Sequence, residues 1–85
     1  MNHALILCRS VTQAQRLGRL LATRGIAARM FRAPVGLTER GCSYALRLRE
    51  EALADAILLM KQHGIWPIKV LRQNGDDSYD EVAWQ

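Results

Sequence analysis

Two stretches of the chain, RLGRLLATRGIAARMF (16–31) and DAILLMKQHGIWPIKV (55–70), align with each other at an offset of 39 residues. Each begins with apolar residues at helical spacing, reaches a Gly-Ile pair and continues into a short apolar run that is typical of a strand. The two glycines, Gly25 and Gly64, suit the left-handed position that follows a helix. The alignment therefore predicts that one helix–turn–strand unit occurs twice.

Each unit is preceded by a further strand pattern. ALILC (4–8) is short and apolar, and CSYALRL (42–48) alternates between apolar and polar residues. Ser10 is the expected N-cap of the first helix, with Thr12 as an alternative. The positions expected to face the core are Ala14, Leu17, Gly18 and Leu21 in the first helix and Leu53, Ala56, Ile57 and Met60 in the second. We therefore predict an α+β fold: a ferredoxin-like β-α-β-β-α-β sandwich whose four-stranded antiparallel sheet, in the order 4-1-3-2, carries both helices on one face.

Length and charge divide the chain of 85 residues into a body and a tail. We predict a single ferredoxin-like domain over residues 1–75 and an acidic C-terminal tail over 76–85, which includes Trp84. Residues 1–75 contain 12 basic and 4 acidic side chains, a balance of +8, whereas the whole chain has a formal net charge of +4. This distribution fits a solvated arginine-rich surface, an anionic partner, or a tail that shields the body.

Composition argues against several classes of protein. The sequence lacks a 20-residue apolar run and a signal-peptide pattern, so we expect no membrane span and a cytoplasmic location. Its two cysteines are too few for a disulfide framework and should stay reduced there. No metal-binding spacing is present, and we expect neither a metal nor a cofactor.

The predicted topology brings the two cysteines together. Strand 1 ends at Cys8, strand 3 begins at Cys42, and antiparallel neighbours place these two ends at the same edge of the sheet. Cys8 fits a small buried apolar residue or a resolving thiol. Cys42 follows a polar loop. It fits either an unreactive packing residue or a reactive thiol, and Arg40 and Arg9 would stabilise the thiolate form of the latter. Gly41 would permit close approach of another molecule.

The segments RGIAARMFRAP, GCSYALRL and KQHGIWPIKV resemble the DUF3343 family of small bacterial selenium/sulfur carrier-like proteins, over roughly residues 4–72. The resemblance implies that Cys42 is the carrier thiol. Members usually have glycine after this cysteine, whereas here Ser43 follows it and Gly41 precedes it. This difference in the position of the glycine changes which backbone N–H groups would surround a bound anion or persulfide.

The resemblance implies a sulfur or selenium carrier that accepts its atom on the Cys42 thiolate from a donor such as a cysteine desulfurase. The alternative is a non-catalytic protein-binding or dimeric regulatory module that uses the open face of the sheet. Strand 1 is apolar on both faces, so a second subunit, the Trp84 tail or a partner would cover that face.

Two further classes of function are disfavoured. RNA binding is not expected, although Arg47, Arg49 and Lys69 should lie on the open face, because the paired strand-3 aromatics of RNA-binding sheets are missing. The sequence has no paired-carboxylate site outside the tail, no glycine-rich phosphate loop and no recognisable catalytic triad. A carrier or a binding protein is therefore a better interpretation than a turnover enzyme.

Overall fold

The computed structural model describes residues 2–32, 44–75 and 78–83. Within these ranges the chain forms two α-helices, one short 3₁₀ turn and five strands, which confirms the α+β class. The elements are β1 (His3–Cys8), α1 (Val11–Ala22), β2 (Arg29–Arg32), β3 (Tyr44–Arg49), the 3₁₀ turn Glu50–Ala52, α2 (Leu53–His63), β4 (Lys69–Gln73) and β5 (Tyr79–Glu81). The described strands form one antiparallel sheet in the order β2-β3-β1-β4-β5.

The two helices begin and end largely where the sequence signals predict. The Ser10 side chain accepts a hydrogen bond from the Gln13 backbone N–H at 3.1 Å, which confirms Ser10 as the N-cap of α1. Gly64 is the C-cap of α2 with φ 67°, in the left-handed region. Gly25 also has a positive φ of 74°, but α1 ends three residues earlier, at Ala22. The Gly-Ile signal therefore marks the turn after each helix, and the last helical residue varies.

The predicted inward-facing residues of both helices pack against one face of the sheet. On β1 this face carries Ala4, Ile6 and Cys8, and on β3 it carries Leu46 and Leu48. A Cβ atom added at Gly18 would lie 3.8 Å from Leu46, so α1 runs close to the sheet at this point. The remaining buried members of this core are Ala14, Leu17, Leu21, Leu53, Ala56, Leu59, Met60, Ile65 and Val70.

The opposite face of the sheet, which we call the open face, also contains buried apolar residues. Leu5, Leu7, Ala45 and Leu71 form a second, smaller cluster there, with Phe31 and Ile68 packed against it. Arg47 and Arg49 follow Ala45 in alternation on β3. The predicted division of β3 into an apolar face and an arginine-bearing face is therefore confirmed for its described residues.

The prediction of a four-stranded sheet was wrong, because part of the predicted acidic tail forms a fifth strand. β5 pairs with the outer edge of β4, with Leu71 opposite Glu81 and Gln73 opposite Tyr79. The Asn74 side chain stabilises the connection by donating to the Ser78 hydroxyl at 3.0 Å and to the Asp80 carboxylate at 3.1 Å. Asn-Gly is a strong hairpin signal that could have predicted this strand. Trp84, also assigned to the tail, lies outside the described residues.

Candidate functional site

The site predicted from the sequence lies where β1 ends and β3 begins. β1 and β3 pair antiparallel, with Cys8 opposite Tyr44 at this end and His3 opposite Arg49 at the other. The expectation that the end of strand 1 lies beside the beginning of strand 3 is confirmed for these residues. Cys42 precedes Tyr44 by two positions and lies outside the described residues, as do Arg40, Gly41 and Ser43.

Cys8 is buried on the helix-covered face of β1. Its exposed fraction is 0%, and its Sγ donates a weak hydrogen bond to the Ile6 carbonyl oxygen at 3.7 Å. Burial raises the pKa of the Cys8 thiol from 9.0 to about 12, because a thiolate would lose its hydration there. Since the thiolate is the nucleophilic form, burial and the raised pKa disfavour reaction at this thiol at neutral pH.

Arg9 lies directly after Cys8 and is exposed, at the junction of β1 and α1. Its Nε donates to the Trp66 carbonyl oxygen at 2.9 Å, and its backbone N–H donates to Gln13 Oε1 at 2.8 Å. Gln13 Nε2 donates to the same Trp66 carbonyl at 3.3 Å. These bonds hold the Arg9 side chain towards the loop that leads into β4, on the other side of β1 from β3.

Positive charge at this end of the sheet comes from the N-terminus of α1 and from Arg32, in addition to Arg9. The first turn of α1 begins here and contains no acidic residue, so the partial positive charge of the helix N-terminus is not neutralised locally. Arg32, which sequence reasoning did not assign to the site, is exposed on β2 opposite Tyr44. The N-terminus of α1 and Arg32 would stabilise an anion such as a thiolate placed nearby, whereas Arg9 would do so only after its side chain had left the Trp66 carbonyl.

A cavity of ≈ 450 Å³ opens at the same end of the sheet, on the β4 side. This volume is within the range of small-molecule pockets. Its lining residues are Arg9, Trp66, Pro67, Ile68, Glu81, Val82 and Ala83. The Trp66 residue is 48% exposed. The Trp-Pro pair after Gly64-Ile65 was the available sequence signal for this loop.

Two other types of site find no support in the described residues. In residues 2–32, 44–75 and 78–83, no three His, Cys, Asp or Glu side chains lie together in a way that could hold a metal ion. Neither of the helices in these ranges has the length and apolar content needed to cross a membrane.

Comparison with known proteins identified one relevant family. A family model described as "Putative Se/S carrier protein-like" matches residues 3–72. The match begins with β1, ends within β4 and includes the segment that contains Cys42. No curated protein and no solved structure matched the chain.

Proposed function

The chain belongs to the Se/S carrier protein-like family, and we propose that it carries a sulfur or selenium atom on the thiolate of Cys42, as a persulfide or selenylsulfide. The family match over residues 3–72 is the observation on which the proposal chiefly rests. Arg40, Gly41 and Ser43 are the proposed surroundings of the thiol, and Arg9, at the end of β1, would join them if its side chain released the Trp66 carbonyl.

We propose that this thiol acts at the end of the sheet where β1 ends and β3 begins. Tyr44 is paired with Cys8, and paired residues on antiparallel strands have Cα atoms about 4.5–5.5 Å apart. Cys42 precedes Tyr44 by two positions in the sequence, and the proposal therefore concerns this end of the sheet. The N-terminus of α1 lies at that end, and it favours a thiolate.

The proposed transfer needs no external oxidant or reductant. The Cys42 thiolate attacks the terminal sulfur of a persulfide on a donor enzyme, such as a cysteine desulfurase. A new S–S bond forms, the donor's S–S bond breaks and the donor cysteine leaves as a thiolate. Delivery repeats the exchange, with an acceptor nucleophile attacking the terminal atom and the Cys42 thiolate leaving. Backbone N–H groups around Gly41 and Ser43 would stabilise the anionic terminal atom.

Cys8 is a weaker candidate for a role in this exchange. Its complete burial and raised pKa favour a packing role, and a resolving role would require the end of β1 to open first. The resolving thiol therefore stays a prediction that a Cys8→Ala variant can test separately from the carrier proposal.

Two further inferences concern the fold and the cellular location of the carrier. We infer that β1 to β4 form a ferredoxin-like arrangement over residues 1–75, to which β5 adds an edge strand. We also infer that the carrier works in the reducing cytoplasm, where a free thiol and a persulfide donor are both available.

Intact-mass spectrometry of the full chain after incubation with a cysteine desulfurase and L-cysteine tests the proposal. We expect a gain of about 32 Da, one sulfur atom, that dithiothreitol removes. The Cys8→Ala variant should gain the same mass, and the Cys42→Ser variant should not. Absence of the adduct from the wild-type chain, or its persistence in Cys42→Ser, would contradict the proposal.

A further inference from the structure

The open face of the sheet carries two arginines that no carboxylate neutralises among the described residues. Its described cations are Arg29, Arg47, Arg49 and Lys69. Arg49 lies 3.6 Å from Glu51 and Lys69 lies 3.7 Å from Glu81, measured between nitrogen and oxygen atoms. Arg29 and Arg47 have no such partner in the part of the chain that the structure describes, although both belong to the same sheet.

These two arginines are direct neighbours. Arg29 on β2 is paired with Arg47 on β3, an arrangement in which like charges destabilise the sheet. Arg47 contacts His3, whose Nδ1 lies 3.2 Å from Arg47 Nη2. A guanidinium can only donate, so Nδ1 accepts and this contact supplies no negative charge. Among the described residues, the arginine pair is therefore a local positive charge without a compensating carboxylate.

A groove runs past this pair, and its lining is cationic at one end and mainly apolar at the other. At one end a cavity of ≈ 360 Å³ is lined by His3, Arg29, Arg47 and Arg49, with Ala27, Ala28 and Leu48. Arg29 and Arg47 also line an adjoining cavity of ≈ 400 Å³, whose other lining residues are Leu5, Met30, Phe31, Gln73 and Tyr79. A cationic section is thus joined to a section with an apolar floor and aromatic side chains.

We propose that Arg29 and Arg47 bind the phosphate group of a small phosphorylated organic molecule, whose apolar part lies over Leu5 and Phe31. Two planar guanidinium groups can each make paired hydrogen bonds to phosphate oxygens. Because the two residues are directly paired, with Cα atoms about 4.5–5.5 Å apart, a single phosphate can contact both side chains. Its charge would also remove their mutual repulsion.

A single phosphate explains this face better than a nucleic-acid strand does. Strand binding uses a row of cations that follows the backbone, together with stacked aromatic residues. Here the other two described open-face cations are already paired with carboxylates, which leaves a single compact site. The site also lies away from the proposed carrier thiol, because Arg49 and His3 are paired at the opposite end of β1 from Cys8 and Tyr44. It does not depend on the carrier function.

Titration of the ¹⁵N-labelled full chain with inorganic phosphate and with phenyl phosphate, followed by NMR, tests the proposal. We expect saturable amide shifts in β2 and β3 and tighter binding of phenyl phosphate than of phosphate. The double variant R29Q/R47Q should bind phenyl phosphate roughly tenfold more weakly or worse, since it loses charge-assisted hydrogen bonds. Circular dichroism checks that this variant remains folded, as expected for changes at two exposed residues.

The matched control is R16Q/R19Q, which removes the same charge from exposed positions of α1. This variant should retain wild-type affinity, as should Cys42→Ser. Absence of saturable shifts, or equal loss of binding in the two double variants, would overturn the proposal. A single-stranded RNA oligonucleotide that bound more tightly than phenyl phosphate, with a steep salt dependence, would overturn it in favour of a nucleic-acid interface.

Discussion

The two faces of the sheet bury their residues equally well but by different means. Leu46 on the helix-covered face is 1% exposed, and Leu5 on the open face is 2% exposed. Leu46 lies beneath α1 in a core built from both helices and the central strands. Leu5 belongs to a cluster of four buried residues, and the groove above it is lined by the side chains of Arg29, Arg47 and Phe31.

This difference shows that the same low exposed fraction can result from tight packing beneath helices or from flexible side chains that lie over the apolar residues. Arginine buries its aliphatic stem along apolar surface while its charged end stays in water. Flexible arginine side chains can move to fill part of a cavity that a substitution creates. Two helices that pack against the sheet at many points shift less easily, so the cavity beneath them stays open. The comparison therefore predicts a larger loss of stability on the helix-covered face than on the open face.

The largest expected effect is that of Leu46→Ala on the helix-covered face. We expect a loss of about 3–5 kcal/mol in the free energy of unfolding, because the cavity beneath α1 would remain largely open. Urea denaturation followed by circular dichroism measures this change. A loss smaller than that of Leu5→Ala, the matched variant on the open face, would contradict the predicted difference between the two faces.

Leu5→Ala, the same chemical change on the open face, should cost less, about 2 kcal/mol. The side chains that line the groove can fill part of the space. The two variants are to be measured side by side under the same conditions. Equal losses would mean that the open face is packed as rigidly as the helix-covered face.

Alkaline pH should weaken the helix-covered face through Cys8. The pKa of this thiol is about 12 in the folded chain against 9.0 for the unperturbed group, so above pH 9 the unfolded state loses a proton that the folded state retains. The free energy of unfolding should therefore fall, by about 1.4 kcal/mol per pH unit, as pH rises from 9 towards 12. The contribution is fully present below pH 9.

Cys8→Ala provides the control for this titration, since Cys42, the tyrosines and the lysines remain in both proteins. The difference in unfolding free energy between wild type and variant, measured from pH 8 to pH 10.5, isolates the Cys8 contribution. A difference that does not change with pH would show that Cys8 reaches solvent in the folded chain.

The smallest expected effect is that of Asn74→Ala in the turn before β5. The variant loses the side-chain bonds to Ser78 and Asp80, and exposed hydrogen bonds of this kind contribute about 1 kcal/mol or less. Amide hydrogen exchange should nevertheless increase at Val82, whose N–H donates to the Val70 carbonyl at 2.8 Å across the β4–β5 pair. Gln62→Ala, an exposed amide removed from α2, is the control and should leave Val82 exchange unchanged.

Much of the fold could be predicted from local signals because these signals act over a few residues. Ser10 caps α1, Gly25 and Gly64 take positive φ values, and the alternation in β3 separates Leu46 from Arg47. The fifth strand was missed because its residues are polar and exposed, and they form a strand only by pairing with the free edge of β4.

The candidate site was less predictable than the fold. The residue types at Cys8 and Arg9 suggested a thiol and a cation that take part in the exchange. Burial, however, sets the pKa of Cys8, and hydrogen bonds set the orientation of the Arg9 side chain. The closed core raises the pKa of Cys8, and the carbonyl of Trp66, 57 positions away, orients Arg9. Cys42, Arg40, Gly41 and Ser43 remain predictions from the sequence.

The sequence by itself determined the repeated helix–turn–strand unit, the N-cap of α1, the C-cap of α2 and the two faces of β3, because these depend on backbone preferences and on spacing along the chain. Only the tertiary structure decided that Cys8 is fully buried, that Arg9 turns towards Trp66 and that Arg29 lies opposite Arg47. The reason is physical: desolvation, long-range hydrogen bonds and cross-strand charge pairs depend on groups that are distant in sequence and become neighbours only when the sheet has formed.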